Sequence, residues 1–354
     1  MNRSAYLIAA TALGIGAFAQ PASAQDFTTA TFGGTTIWVG GGVQFLDLPD
    51  IRFTGKGNPG DFHRQKNSDF SEYGGAIGGG IETALGFVGG FRVTGGVKGF
   101  WANVDDDDRT RCNNPVGGCI VVDPTGVLAR GNTLTTKTDR DVDYWGGQAE
   151  FKFGSAEPVH ARPNLYRNDY FIIGADVRGI DQDNKLRGHS FTGTDVFTYK
   201  ESLDTTYVGG YIGFGGEYSL GFLKTGPLME RFGLRTFINV KGGLYNADTD
   251  YDGRFAFNFF DFNSKLSKSA DDLAFIGTVS LETRKQIGPR TSISLWTDYE
   301  FISSVPKMHY ADGGDGRPTR IDDDSAFAAR TMLRLNISFG GAPGPAPEYA
   351  EPLK

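Results

Sequence analysis

The stretch Phe327-Ala328-Ala329-Arg330-Thr331-Met332-Leu333-Arg334-Leu335-Asn336-Ile337-Ser338-Phe339 decides the fold class. Phe327, Ala329, Thr331, Leu333, Leu335, Ile337 and Phe339 fall on one face of a strand; Arg330, Arg334, Asn336 and Ser338 fall on the other. Successive strand residues point to opposite sides, so one segment carries a greasy face and a charged face. Lipid offers the backbone no hydrogen bonds, so such a strand crosses a bilayer only inside a closed barrel.

The same alternation recurs about ten times. Lipid-side runs include Ile37, Val39, Val43 and Phe45; Tyr73, Ile77, Ile81 and Leu85; Val208, Ile212, Phe214 and Tyr218; Ile293, Leu295, Tyr299 and Phe301. Connections between them alternate in length. The short ones are 87–90, 155–168, 221–230 and 288–290; the long ones are 52–70, 105–140, 187–204, 253–272 and 303–325. Short periplasmic turns and long outer loops give that parity. The expectation is an all-β, transmembrane, antiparallel up-and-down barrel of about ten strands; eight or twelve also satisfy the pattern. Residues 119–129 read as a small hairpin within an outer loop, and Phe255 to Phe260 as an additional strand.

The ends fit this address. Arg3, the apolar run Tyr6 to Ala19 and Ala22-Ser23-Ala24 read as a signal peptide over 1–24, so 25–339 is the expected barrel. Removing Arg3 moves the formal charge from −7 to −8, a balance that argues against a nucleic-acid partner. Pro343, Pro345, Pro347 and Pro352 make 340–354 an extended periplasmic tail. The 51 glycines in 354 residues are about twice the usual share, which suits strand bends and close backbone approach. Cys112 and Cys119 read as a local disulfide of an exported protein.

Tyr73, Trp101, Tyr144, Trp145, Tyr170, Tyr218, Tyr299 and Phe339 suit interfacial girdles. The opposite faces carry the basic set Arg92, Lys98, Lys152, Arg178, Arg235, Lys241, Arg284, Arg330 and Arg334. The acidic set is Glu82, Glu150, Asp176, Glu217, Glu282, Asp298 and Glu300. Either these line a narrow aqueous pore, which is the preferred reading, or they pair across the lumen and close it. Asp248, Asp250 and Asp252 before Gly253 have the spacing that opens a calcium loop, but position twelve is Phe259 where a Glu is needed. No other cofactor is expected.

These segments resemble the Gram-negative outer-membrane β-barrel superfamily, above all in the terminal strand ending on Phe339. The resemblance implies lipid and lipopolysaccharide as surroundings and the barrel-assembly machinery as a partner, although 15 residues follow Phe339 where many members stop. Asp143-Tyr144-Trp145-Gly146-Gly147 and Gly242-Gly243-Leu244-Tyr245 are similar to the Legionella-type pore-forming proteins. Ten strands is also the size of the omptin proteases, which use acid and Asp–His pairs at the outer rim. Asp61-Phe62-His63 and Asp181-Gln182-Asp183 offer such spacings, while His189 and His309 stand alone. With no nucleophile elbow in the chain, the expectation is a small porin-like channel or a structural or adhesive surface barrel, and not an enzyme.

Overall fold

The computed structural model describes residues 34–58, 61–65, 70–113, 118–122, 128–131, 133–155, 159–162, 165–189, 195–218, 234–258, 263–310 and 319–340. The expected signal peptide, most of the proline-rich tail, the 221–230 turn and Phe232 lie outside these residues. The ten long strands are β1 (Thr35–Asp47), β4 (Ser71–Val88), β5 (Phe91–Asn113), β8 (Thr133–Ser155), β10 (Leu165–His189), β11 (Asp195–Tyr218), β12 (Leu234–Phe257), β13 (Asn263–Gln286), β14 (Thr291–His309) and β15 (Arg320–Phe339). Each pairs antiparallel with the next. β15 closes on β1, from Thr35 opposite Phe339 to Asp47 opposite Phe327. The barrel therefore has ten strands, not eight or twelve.

Ladder partners of Ile81 lead through Ile37 and Ile337 to Thr291 on β14. Partners of Thr83 lead the other way round, through Gly95, Phe151, Ile173, Ile212, Gly242 and Gly277, to Phe301 on the same strand. The ring thus closes with a stagger of about a dozen residues, which tilts the strands steeply, by roughly 35–45°.

Parity holds around the ring. Val39, Ile77, Val208, Ile212, Phe214, Leu244, Leu273 and Leu333 are large apolar side chains exposed on the outer wall. In water this surface would be costly; in lipid it is matched. On β13 the band runs from Leu273 to Leu281 and on β14 from Ile293 to Phe301. That is about nine residues each, the span of a tilted membrane strand. At the end where the connections are short, β4 and β5 are joined by Gly89 and Gly90, with φ of 58° and 83°. This is the left-handed pair that a two-residue hairpin requires.

The long outer connections are mostly not loops. β10, β11 and β12 are 25, 24 and 24 residues long and continue far above the apolar band. Above the band the outward positions turn polar, so the greasy outer face that marks a membrane strand ends while the ladder continues. Phe255 accordingly extends β12 and starts no new strand. A separate sheet stands outside: β3 (Asp61–Gln65), β2 (Thr54–Asn58), β6 (Cys119–Val122) and β7 (Leu128–Gly131), in that order. The β6–β7 hairpin matches the expectation for 119–129; the β2–β3 hairpin was not foreseen. Cys112 on β5 and Cys119 on β6 form the disulfide, tying this sheet to the barrel. A short strand, β9 (Val159–Arg162), pairs with the start of β10.

Candidate functional site

The expected inner-face charges do lie on inward positions, and most are buried. They meet in layers. In the middle layer Arg178 on β10 donates to Asp176 at 2.7 Å and to Glu300 on β14 at 2.6 Å. Arg330 on β15 lies 3.5 Å from Glu300 and donates to Asp298 at 3.1 Å. β10 and β15 stand five places apart in a ring of ten, on opposite walls. β8 and β14 are also five apart, and Tyr144 on β8 donates its hydroxyl to Glu300. The network thus spans the full diameter twice.

Beside it, Glu150 accepts from Lys241 at 2.7 Å and lies 3.6 Å from Lys98 and 3.5 Å from Lys152. Lys152 also pairs with Glu82, Arg284 with Glu282 at 2.8 Å, and Arg235 with Glu217 at 3.4 Å. Arg92 lies near the start of β5, at the short-turn end, opposite Gly154. Arg334 is packed between Trp38 and Trp296, its guanidinium carbon 3.8 and 3.4 Å from their centroids, and Arg330 lies 3.4 Å over Phe100. Flat guanidinium stacks well on aromatic faces, and the rings shield the inner face of β15 from water. A glycine makes room: a Cβ on Gly146 would stand 2.6 Å from Phe100 and 3.3 Å from Arg178. The cavity left among Gln148, Arg178, Lys241, Asp298 and Glu300 is about 10 Å³, the size of one water.

Two apolar layers cover this network toward the outside. Leu46, Phe70, Val142, Ile180, Tyr207, Ile276 and Ala328 form the lower one. In the upper one the chain after β1 turns into the mouth. Phe53, 1% exposed, stacks on Tyr199 at 4.4 Å and meets Tyr310 edge-on at 5.1 Å. Between the layers Arg140 donates to the Pro49 carbonyl at 3.1 Å and to Gln182 at 2.6 Å; burial brings its pKa down to about 10. Glu201 accepts from Tyr199 at 2.6 Å, Tyr310 at 2.5 Å and Tyr251 at 3.3 Å. Burial raises its carboxyl above the usual range even though these hydroxyls oppose the rise. None of Phe53, Arg140, Glu201 or the tyrosines was expected in the lumen. Their signal was strand parity continued past the apolar band.

Several expectations change. Tyr144 and Tyr170 are not girdle residues: Tyr144 is at 0% exposure in the lumen, and Tyr170 is half-buried with its hydroxyl donating to Asn239 at 2.7 Å. Tyr73, Trp101, Tyr299 and Phe339 are exposed as expected. Asp248, Asp250 and Asp252 stand in extended β12, not in a calcium loop; two-residue strand steps keep them about 7 Å apart. Among the described residues no group of three or more acids, histidines or cysteines converges on a metal-sized point. Asp61 and His63 belong to β3 of the separate sheet, on a different element from Asp181 and Asp183 of β10.

The outer wall above the band is strongly acidic. Asp105 stands opposite Asp141, Asp107 opposite Asp139, Asp181 opposite both Asp143 and Asp204, and Asp250 opposite Asp204. Burial first, and then Asp204, Asp143 and Asp183, lift the Asp181 carboxyl to about 6, against the hydrogen bond from Trp145 at 3.1 Å.

No family model matches the sequence, and no curated protein matches it. Solved structures similar in fold include the outer-membrane protease OmpT of Escherichia coli, with a TM-score of 0.46 and 8% identity over 90% of this chain and 99% of that one. Others are a FadL homologue of Pseudomonas aeruginosa (0.26, 7%, 87% and 91%) and an anion-selective porin of Comamonas acidovorans (0.17, 9%, 86% and 98%). The likeness is one of fold class, that of outer-membrane β-barrels; nothing supports the finer resemblance to the Legionella-type proteins. One expectation is overturned. OmpT is an enzyme, so this fold class hosts catalysis and gives no ground for excluding it.

Proposed function

We propose that this chain works in the outer membrane of a Gram-negative bacterium as a closed barrel, carrying a rigid collar of strands outside the cell. The observation that carries this reading is the bridge Arg178–Glu300–Arg330, which joins opposite walls. A diffusion channel, preferred from the charged inner face alone, needs a water path past that bridge and past Phe53. Ten strands make a barrel little wider than the size side chains can fill, and here arginine, tyrosine and tryptophan fill it.

The test is permeability. Proteoliposomes holding the refolded full chain are expected to swell in an isotonic pentose solution no faster than protein-free vesicles. Swelling that rises with the amount of folded protein would return the reading to a porin-like channel.

A further inference from the structure

Above its acidic belt the outer wall carries a second belt of opposite sign. Lys185 on β10 stands directly opposite Lys200 on β11, Lys200 opposite Arg254 on β12, and Arg254 opposite Lys265 on β13. On the other flank Arg109 stands opposite Lys137, and Lys137 opposite Arg187. Like charges directly opposed across strands oppose pairing, yet this wall lines them up over six neighbouring strands.

Neutralisation within the protein is uneven. Lys137 is held by Asp107 at 3.1 Å and Asp139 at 2.6 Å, Arg187 by Asp139 at 3.1 Å, and Lys265 lies 3.6 Å from Asp252. Lys185, Lys200 and Arg254 form no ion pair among the described residues; Lys200 and Arg254 are exposed. These three make a row of cations outside ion-pair distance of any described carboxylate, one strand spacing apart, about 4.8 Å, with Arg254 acting on Asp252 only at longer range.

Height selects the partner. The belt lies well beyond Val208 and Leu244, the outermost exposed apolar side chains of β11 and β12. Between it and the lipid band stand Asp183, Asp204, Asp248, Asp250 and Asp252. Headgroup phosphates at the membrane surface would meet those carboxylates before they met the cations. The belt is also one residue step high: Asp183 and Asp252 lie immediately below Lys185 and Arg254 on the same face. A nucleic-acid duplex is wider than that step and would overlie the acids. The outward positions flanking the row include Arg187, Thr198, Ser202, Ala256 and Ser267, and none of the flanking positions carries an aromatic ring on which a base could stack.

We propose that the row Lys185–Lys200–Arg254, continued by Lys265, binds a single extended anionic polysaccharide chain presented from outside the cell. The inference rests on the reading that this end of the barrel faces outward, and it is independent of whether the lumen conducts.

The test uses the full chain folded in detergent micelles and size-defined heparin oligosaccharides as the probe. Calorimetry is expected to show saturable binding that weakens as salt rises, because bound counterions are released. The variant Lys185→Ser/Lys200→Ser/Arg254→Ser should lose at least tenfold in affinity. Arg290→Ser, an exposed cation at the opposite end, should change nothing. Circular dichroism confirms that each variant is folded. Absence of heparin binding, or equal affinity in the triple variant, overturns the proposal. Binding of a single-stranded or duplex oligonucleotide as tight as heparin, with the same loss in the triple variant, would replace the polysaccharide with nucleic acid. Vesicle swelling by the same proteins reconstituted into liposomes separates failure of this site from failure of the closed-barrel reading.

Discussion

Breaking the diametral bridge from both ends measures what the lumen network contributes. In Glu300→Ala, Arg178 keeps Asp176 and Arg330 keeps Asp298, but the link between opposite walls is gone and Tyr144 loses its acceptor. Arg178 and Glu300 are each about 4% exposed at the side chain, so little solvent enters to compensate. Removing one partner of a buried pair costs about 3–5 kcal/mol. Arg178→Ala should fall at the upper end of that range: Glu300 retains Arg330 and the Tyr144 hydroxyl, but the buried Asp176 carboxylate is left with only the Tyr245 hydroxyl. The double variant should cost less than the two singles together, with a coupling of about 1–3 kcal/mol, as expected for side chains in one network. Urea unfolding in lipid vesicles, with all four proteins compared at one pH, gives the cycle. A coupling below about 0.5 kcal/mol, the level at which independent sites add, would refute the claim that this pair ties the walls together.

Other perturbations follow from the same geometry. Asp181→Asn keeps an acceptor for Trp145 and removes a charge from the acidic belt. A carboxyl raised to about 6 in the fold takes up its proton more readily folded than unfolded, so its destabilising effect is present above pH 6 and fades as pH falls toward 4. The variant should therefore have a higher urea midpoint than wild type at pH 7.5 and the same midpoint near pH 4; a constant difference across that range would contradict the assignment. Phe53→Ala empties the centre of the outer aromatic cluster and should cost about 3–5 kcal/mol in the same unfolding assay; an unchanged midpoint would mean the mouth is not packed by it. Cys112→Ser opens a loop with a sequence separation of 7. It should cost about 2–3 kcal/mol in the chain-entropy account of cross-links, and a cost close to zero would show that the β6–β2 pairing holds the outer sheet unaided.

The barrel was legible because lipid enforces parity. Leu333, Leu335 and Ile337 cannot face inward without sending Arg330 and Arg334 into hydrocarbon, so the alternating segments pointed to about ten strands, and ring closure, which no segment carries, decided between ten, eight and twelve. The inner face was legible only as a set of charges. Whether Arg178 meets water or Glu300 depends on which strands stand opposite, and that follows from strand number and stagger, which no single segment carries. The outer collar was hidden for a different reason. Once Asp, Lys, Ser and Thr occupy the outward positions above the band, hydropathy reads 187–204 and 253–272 as loops, although Tyr199, Tyr251 and Phe255 still alternate inward. Tyr144 was misplaced because Trp145 beside it is a true outer-wall residue, and neighbours in a strand face opposite ways.

The central claim is that the lumen is sealed, and planar-bilayer recording tests it most directly. Folded wild-type protein is expected to give no steady single-channel current at neutral pH under moderate voltage. Stable, regular conductance steps from the wild-type barrel would contradict the account.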